Sequence, residues 1–120
     1  MPKTEVVIFR TEEGTAPVLD WLDELDSKVQ DKCTAGIERL AEKGYELRRP
    51  EADYLRDKIY ELRISRQGIH YRILYFFYGK QAVLSHGLTK ESVVPQGEID
   101  LAIRHKKQFD ENPQKHTHEE

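Results

Sequence analysis

The sequence predicts an α+β domain in which a small antiparallel sheet packs against helices. Three observations support this fold class. A β-branched and aromatic run opens the chain, two amphipathic helical patterns follow it, and three strand-like runs separated by tight-turn residues occupy its middle. The length of 120 residues suits one domain with its own core. We therefore expect a single domain over residues 1–111 and a flexible polar tail over residues 112–120.

The first part of the chain predicts one strand and two helices. Residues 5–11 form the β-branched and aromatic run of the strand. Thr15 is a suitable N-cap for a first helix, since Pro17 would fall in the first turn. A second helix should begin near Ser27 and stop at Gly44, which follows a basic last turn. Both helices are amphipathic, so each needs an apolar surface to pack on.

The second part predicts a three-strand meander and a last helix. Residues 45–53 are expected to form a connecting loop, because Pro50 opposes a helix there. Three strands follow over residues 59–65, 69–78 and 81–88, with two-residue turns at Gln67-Gly68 and Gly79-Lys80. A C-terminal helix is expected over residues 95–111. We expect the helices on one face of the sheet, so that the other face, or one end of it, stays open.

The net charge of −3 conceals an uneven distribution of charge. Residues 54–90 hold seven basic and two acidic side chains. Residues 1–53 hold eight basic and thirteen acidic ones, and residues 91–120 hold four and seven. A basic sheet between two acidic flanks favours a polyanionic partner.

The composition also bounds the compartment. No apolar run is long enough to cross a bilayer, and the N-terminus lacks the apolar segment of a signal peptide. The single Cys33 excludes an internal disulfide framework. We therefore expect a cytoplasmic protein without a membrane association.

The first predicted hairpin places two arginines opposite each other. If Gln67 and Gly68 are its two loop residues, Arg63 faces Arg72, and like charges directly opposite are destabilising. An anion between the two guanidiniums would relieve this repulsion, and phosphate matches their fork geometry. Two alternatives remain. Glu61 on the same face would neutralise the pair, and a three-residue loop would shift the register.

His86 and Lys90 complete the candidate site. His86 lies within the third strand of the meander and Lys90 just beyond it. A histidine, a lysine and two arginines with few acids suit RNA scission, in which the 2′-hydroxyl loses a proton, cations stabilise the phosphorane and the 5′-oxygen gains a proton. None of these steps requires a metal. The alternative for His86 is a hydrogen-bonded core residue, since its strand neighbours are apolar.

Other residues predict no further chemistry. His105, His116 and His118 lie at a helix end and in the tail, without the spacing of a metal site, so we expect neither a metal nor a cofactor. Cys33 lies on the apolar stripe of a helix and should be core. The aromatic residues of the central strand are suited to stacking on bases, although strand spacing favours core positions for most of them.

Four motifs in a fixed order resemble a known family. They are Glu-Leu-Arg at residues 61–63, Tyr-Arg at 71–72, His-Gly-Leu-Thr-Lys at 86–90, and a proline-led helix with the pattern P-x-x-E-I-x-x-A from residue 95. Over about residues 5–110 the chain resembles the RelE/HigB superfamily of toxins from type II toxin–antitoxin systems, and most closely its phage-derived, Gp-like HigB branch.

The resemblance implies a RelE-like fold and a small ribosome-dependent endoribonuclease. Such toxins cut mRNA in the decoding site of the ribosome without a metal, by attack of the 2′-oxygen on the adjacent phosphate. It implies Arg63 and Arg72 as phosphate and transition-state ligands, Lys90 as a phosphate contact or proton-transfer residue, and His86 as a further candidate. Implied partners are the ribosome, mRNA and a HigA-like helix-turn-helix antitoxin.

The chain departs from the pattern of that branch at two positions. Leu88 stands where an aromatic residue is common, and Glu91 replaces the usual second lysine. Exchanging a lysine for an acid weakens the attraction for RNA. The alternative function is therefore a catalytically weak or inactive module of the same fold that binds an antitoxin, nucleic acid or another protein.

Overall fold

Five strands form one mixed sheet in the computed structural model, which describes residues 4–89 and 92–119. The strands are β1 (Glu5–Ile8), β2 (Ala52–Arg56), β3 (Ile59–Arg66), β4 (Ile69–Tyr78) and β5 (Gln81–Thr89). Their order in the sheet is β1-β5-β4-β3-β2. The helices are α1 (Pro17–Asp23), α2 (Ser27–Lys43) and α3 (Gln96–Glu111). The predicted α+β class is confirmed, and the structure is consistent with a RelE-like fold.

The sheet differs from the prediction in two respects. It is not wholly antiparallel, because β1 pairs with β5 in parallel, from Glu5 opposite Gln81 to Ile8 opposite Leu84. It also has a fifth strand, since β2 lies within and beyond the segment that was expected to be a loop. β2 pairs with the edge of β3, and Asp57 and Lys58 connect the two strands in the left-handed region. Asp-Lys lacks the glycine that makes such turns recognisable in a sequence.

The helix boundaries follow the sequence closely, with one difference at a cap. α2 begins at Ser27, and the preceding Asp26 accepts a hydrogen bond from the backbone N–H of Lys28. Its predicted end is confirmed at Gly44, whose φ is 54°. In contrast, α1 starts after Ala16, and the hydroxyl of Thr15 bonds to that of Thr11 (2.7 Å) instead of capping the helix.

Two cores lie on opposite faces of the sheet. α1 and α2 cover one face with a core that includes Val18, Cys33 and Leu40, while α3 covers part of the other with Ile99, Ala102 and Phe109. The expectation that all helices share one face was therefore wrong. β4 is apolar on both faces, so each face needs its own cover. What stays open on the α3 face is the end beside β2 and β3.

The glycine of the His-Gly motif serves helix packing. Trp21 of α1 lies directly over Gly87, so that a Cβ atom at this position would overlap the indole ring. The indole N–H donates to the hydroxyl of Thr89 at 3.0 Å. A larger residue at position 87 would therefore displace α1 from β5.

The residues after α3 pack back on the domain, unlike the expected flexible tail. His116 is buried, its Nδ1 lies 2.7 Å from the carbonyl oxygen of Arg10, and its ring stacks on Phe9. Thr117 forms a β-bridge with Phe9. The apolar face of an imidazole and the unpaired edge of β1 make this packing favourable, although the segment is polar in composition.

Candidate functional site

The hairpin of β3 and β4 places Arg63 directly opposite Arg72. Gln67 (φ 54°) and Gly68 (φ 79°) form its two-residue loop, as the sequence predicted. This turn requires two residues in the left-handed region, which glycine adopts freely. The register that brings the two arginines together is thus determined by local turn geometry.

Glu61 supplies the anion next to this pair. Its Oε1 lies 2.6 Å from Nη1 of Arg72, and both side chains are buried. Nη2 of Arg72 donates to the carbonyl oxygen of Ser92 at 3.0 Å, whereas its buried Nε has no partner among the described residues. The alternative in which Glu61 neutralises the arginine pair therefore describes Arg72 in this structure.

Arg63 is held much more loosely. Its Nε lies 4.0 Å from Oε2 of Glu61, and 37% of its side chain is exposed. A separation of 4.0 Å is at the limit of an ion pair and too long for a hydrogen bond. Among residues 4–89 and 92–119, no second carboxylate lies within ion-pair distance of Arg63, so its guanidinium can bind a further anion, whereas the guanidinium of Arg72 is held by Glu61.

Arg63 opens into a pocket of about 380 Å³ at the uncovered end of the α3 face. We call it the arginine pocket, because its lining includes four arginines and two carboxylates: Arg49, Arg56, Arg63, Arg72, Asp53 and Glu61. Ser92, Val94 and Ile99 contribute to the wall on the α3 side. A guanidinium group that is not held at hydrogen-bond distance by a carboxylate can attract an anion into such an open concavity, and Arg63 is in this position.

Two of these arginines are fixed by surface carboxylates. Arg49 donates to Asp53 at 2.8 Å, and Arg56 donates to Asp57 and Asp100, both at 2.7 Å. The Arg49 guanidinium holds the pKa of Asp53 below its usual range. Arg49 and Arg56 were not among the predicted site residues, because they lie in or beside the segment that was expected to be a loop. The dense basic charge of residues 54–90 was the available signal for Arg56.

His86 lies apart from the arginine pocket, beneath α3. It pairs with Leu74, while Arg72 pairs with Leu88. The register shifts between Leu74 and Tyr75, where Ser85 forms a bulge. His86 Nδ1 lies 2.8 Å from the Ser85 hydroxyl, and Nε2 lies 2.9 Å from a Glu98 carboxylate oxygen. Burial lowers the pKa of His86, although Glu98 opposes this effect.

A second histidine joins the same network. Nδ1 of His105 lies 2.7 Å from the Ser85 hydroxyl, and its ring stacks on Phe9. Burial lowers the pKa of His105 to about 4. We call Ser85, His86, Glu98 and His105 the histidine cluster. It agrees with the alternative that His86 is a hydrogen-bonded core residue, and it ties α3 to β5. The glutamate of the P-x-x-E motif was the signal for it.

Lys90 and Glu91 lie outside the described residues, whereas Arg63, Arg72 and His86 lie within them. Leu88 is buried in the core on the α3 side, together with Val94. A leucine therefore fills the position at which an aromatic residue was expected. Among residues 4–89 and 92–119, no three histidine, cysteine or carboxylate side chains are placed to share a metal ion. Over the same residues, no helix has the length and apolar character to cross a membrane.

Fold and site together define a small α+β domain with an arginine-lined pocket at one end of a five-stranded mixed sheet. The chain matches the family model described as phage derived protein Gp49-like over residues 20–107, which is most of its length. It therefore belongs to the phage-derived Gp49-like family, a toxin-like family known in toxin–antitoxin systems. A comparison with curated proteins found no match.

Proposed function

We propose that this protein is the toxin of a type II toxin–antitoxin system and acts as a ribosome-dependent mRNA endoribonuclease of the RelE/HigB type. Membership of the Gp49-like family supports the toxin part of this proposal. The observation that carries the nuclease part is the arginine pocket, in which the half-exposed Arg63 lies beside a buried Arg72–Glu61 pair.

The pocket suits a phosphodiester for physical reasons. A guanidinium binds two phosphate oxygens through its planar fork, and it stabilises the extra charge of the phosphorane more than that of the ground state. Arg63 is the residue we assign to this contact. Arg72 is buried beside it and binds Glu61, so that the carboxylate of Glu61 stays 4.0 Å from Nε of Arg63.

The proton transfers require further groups. Lys90, expected from the resemblance at the end of β5, is our candidate for contacting the phosphate or moving a proton. His86 is held by Ser85 and Glu98, so within this arrangement we assign it to positioning β5 and α3 rather than to proton transfer. Neither assignment requires a metal ion.

The proposed partners are mRNA, the ribosome and a HigA-like helix-turn-helix antitoxin, and the proposed location is the cytoplasm. The basic meander between acidic flanks supports a polyanionic substrate. Co-expression with the product of an adjacent helix-turn-helix reading frame, followed by purification of a stoichiometric complex, tests the antitoxin. Failure of every adjacent product to bind would contradict that part.

The nuclease is tested by adding the protein to a translation extract and mapping mRNA ends by primer extension. We expect cuts within translated codons that fall at least tenfold with Arg63→Ala. Arg66→Ala is the matched control, because it removes the same charge from the same strand but on the opposite face. Arg72→Ala is less suitable, because it would leave Glu61 buried without its partner.

A second candidate is the non-catalytic binding module. The observation that favours it is the Arg72–Glu61 pair, because Glu61 already binds one of the two arginines that were predicted to bind phosphate. Glu91 favours it as well. A folded protein that leaves the mRNA intact in an active extract, both as it stands and as Glu91→Lys, would support the binding module and contradict the nuclease.

A further inference from the structure

A second cavity adjoins the arginine pocket at the β2 edge of the sheet. It has a volume of about 400 Å³, and its lining includes Leu47, Arg48, Ala52 and Tyr60. The two cavities share three residues, Arg49, Asp53 and Tyr54. The arginine pocket lies on the α3 face and the second cavity on the α2 face. The three shared residues therefore form the wall between the two cavities, which we call the ridge.

Tyr54 is the aromatic residue of this ridge. The residue is 51% exposed, which is high for an aromatic residue within a strand. Two contacts nevertheless hold it. Its hydroxyl accepts a hydrogen bond from the backbone N–H of Lys58 at 3.0 Å, and its ring meets Tyr60 at 5.1 Å in a T-shaped arrangement. Tyr60 in turn stacks on the buried Tyr75.

Because the hydroxyl and the ring of Tyr54 are already held in place, stacking another flat ring on its exposed side costs little side-chain conformational entropy. The surrounding charges suggest which kind. Arg48 and Arg49 lie in the same cavity, and the Arg48 guanidinium is fixed by the carbonyl oxygen of Tyr45 at 2.7 Å. Cationic side chains beside an exposed aromatic ring are typical of sites that bind single-stranded nucleic acid, where bases stack and phosphates meet arginines.

We propose that Tyr54 forms a stacking subsite for one base of a single-stranded RNA whose adjacent phosphate lies in the arginine pocket. The position of the phosphate rests on the proposed function, whereas the stacking of the base on Tyr54 does not. The base must be unpaired in a strand that passes over the ridge, because a duplex does not present the face of a base. Since every base has a π-face, the subsite positions the RNA without selecting its sequence.

The subsite is tested with two fluorescein-labelled RNA hexamers, one of adenosines and one with the same backbone but abasic sugars. Anisotropy titrations with the whole protein give a Kd for each. We expect the protein to bind the base-containing hexamer about tenfold more tightly. Tyr54→Leu should abolish this preference, and Tyr54→Phe should keep it.

Tyr78→Leu is the matched control. Tyr78 is also partly exposed, but it packs on Phe109 of α3, and neither residue lines either cavity. It should leave both Kd values unchanged. Far-UV circular dichroism confirms that each variant is folded. A preference that survives Tyr54→Leu, or no preference or no binding in the unmodified protein, would overturn the subsite.

Arg63→Ala separates this proposal from the proposed function. If the phosphate site is right, this variant binds both hexamers more weakly and keeps the preference for bases. Loss of the preference in Tyr54→Leu with no effect of Arg63→Ala would support the stacking subsite and contradict the phosphate site.

Discussion

The arginine pocket and the histidine cluster lie on the same face of the same sheet, yet they differ in almost every physical respect. The pocket is open and charged, and Arg63 in it is partly exposed. The histidine cluster is covered by α3, and Ser85, His86 and His105 are all buried. Burial lowers the pKa of both imidazoles, which favours their neutral forms.

The difference arises from where α3 lies. α3 packs over the strands around His86. Ile99 is both part of this packed core and part of the wall of the arginine pocket, so the strands beyond it are uncovered and Arg63 remains reachable from solvent. Arg63 and His86, which the sequence predicted as members of one site, therefore lie in two separate regions: an open, charged pocket and a buried, hydrogen-bonded cluster. Substitutions in the two regions should differ in how they affect the free energy of unfolding and the proposed cleavage of mRNA.

The largest effect is expected from Glu61→Gln. The substitution leaves the buried guanidinium of Arg72 without a counter-charge, which typically costs about 3–5 kcal/mol. Urea unfolding measures the change. Glu51→Gln is the matched control, because it breaks the ion pair with Arg39 at the exposed surface and should change little. An equal effect of both variants would contradict a special role for burial.

A smaller effect is expected from Ser85→Ala. The hydroxyl of Ser85 serves the Nδ1 atoms of His86 and His105, so its loss leaves two buried groups poorly satisfied. We expect the free energy of unfolding to fall by about 2 kcal/mol. The proposed mRNA cleavage should be unchanged in the folded variant. Ser65→Ala, at an exposed position of β3, is the control for stability; a loss of cleavage without a loss of stability would place Ser85 in the catalytic machinery instead.

The histidine cluster should also make stability depend on pH. The pKa of His105 is lowered from 6.5 to about 4 in the folded protein, so the unfolded chain binds more protons between these values. Stability is therefore retained above about pH 6.5 and lost as the pH falls toward 4. Between about pH 7 and about pH 5.5 we expect a loss of about 1 kcal/mol from this group. The slope should be shallower in His105→Gln, and identical slopes would contradict the assignment.

The smallest effect on stability is expected from Arg63→Ala. Its guanidinium is partly exposed and 4.0 Å from the nearest carboxylate oxygen, so the free energy of unfolding should change by no more than about 0.5 kcal/mol. The same variant should lose most of the proposed mRNA cleavage. A loss of stability comparable with that of Glu61→Gln would mean that Arg63 is a structural residue like Arg72.

Much of the fold could be predicted because its signals are local. The end of α2 at Gly44 and the turn at Gln67-Gly68 depend on residues that adopt positive φ. The register of Arg63 opposite Arg72 follows from that turn. β2 escaped prediction because its turn, Asp57-Lys58, lacks glycine, and because a strand of five residues at an edge depends on a partner that is distant in the sequence.

The sequence by itself determined the helices, the meander, the pairing of the two arginines and the family to which the chain belongs. The tertiary structure decided the parallel pairing of β1 with β5, the side of the sheet on which α3 packs, and the separation of His86 from Arg63. The physical reason is the range of the interactions. Turns and periodic patterns act within a few residues, whereas cover, burial and pocket shape depend on elements that are far apart in the chain and meet only when it folds.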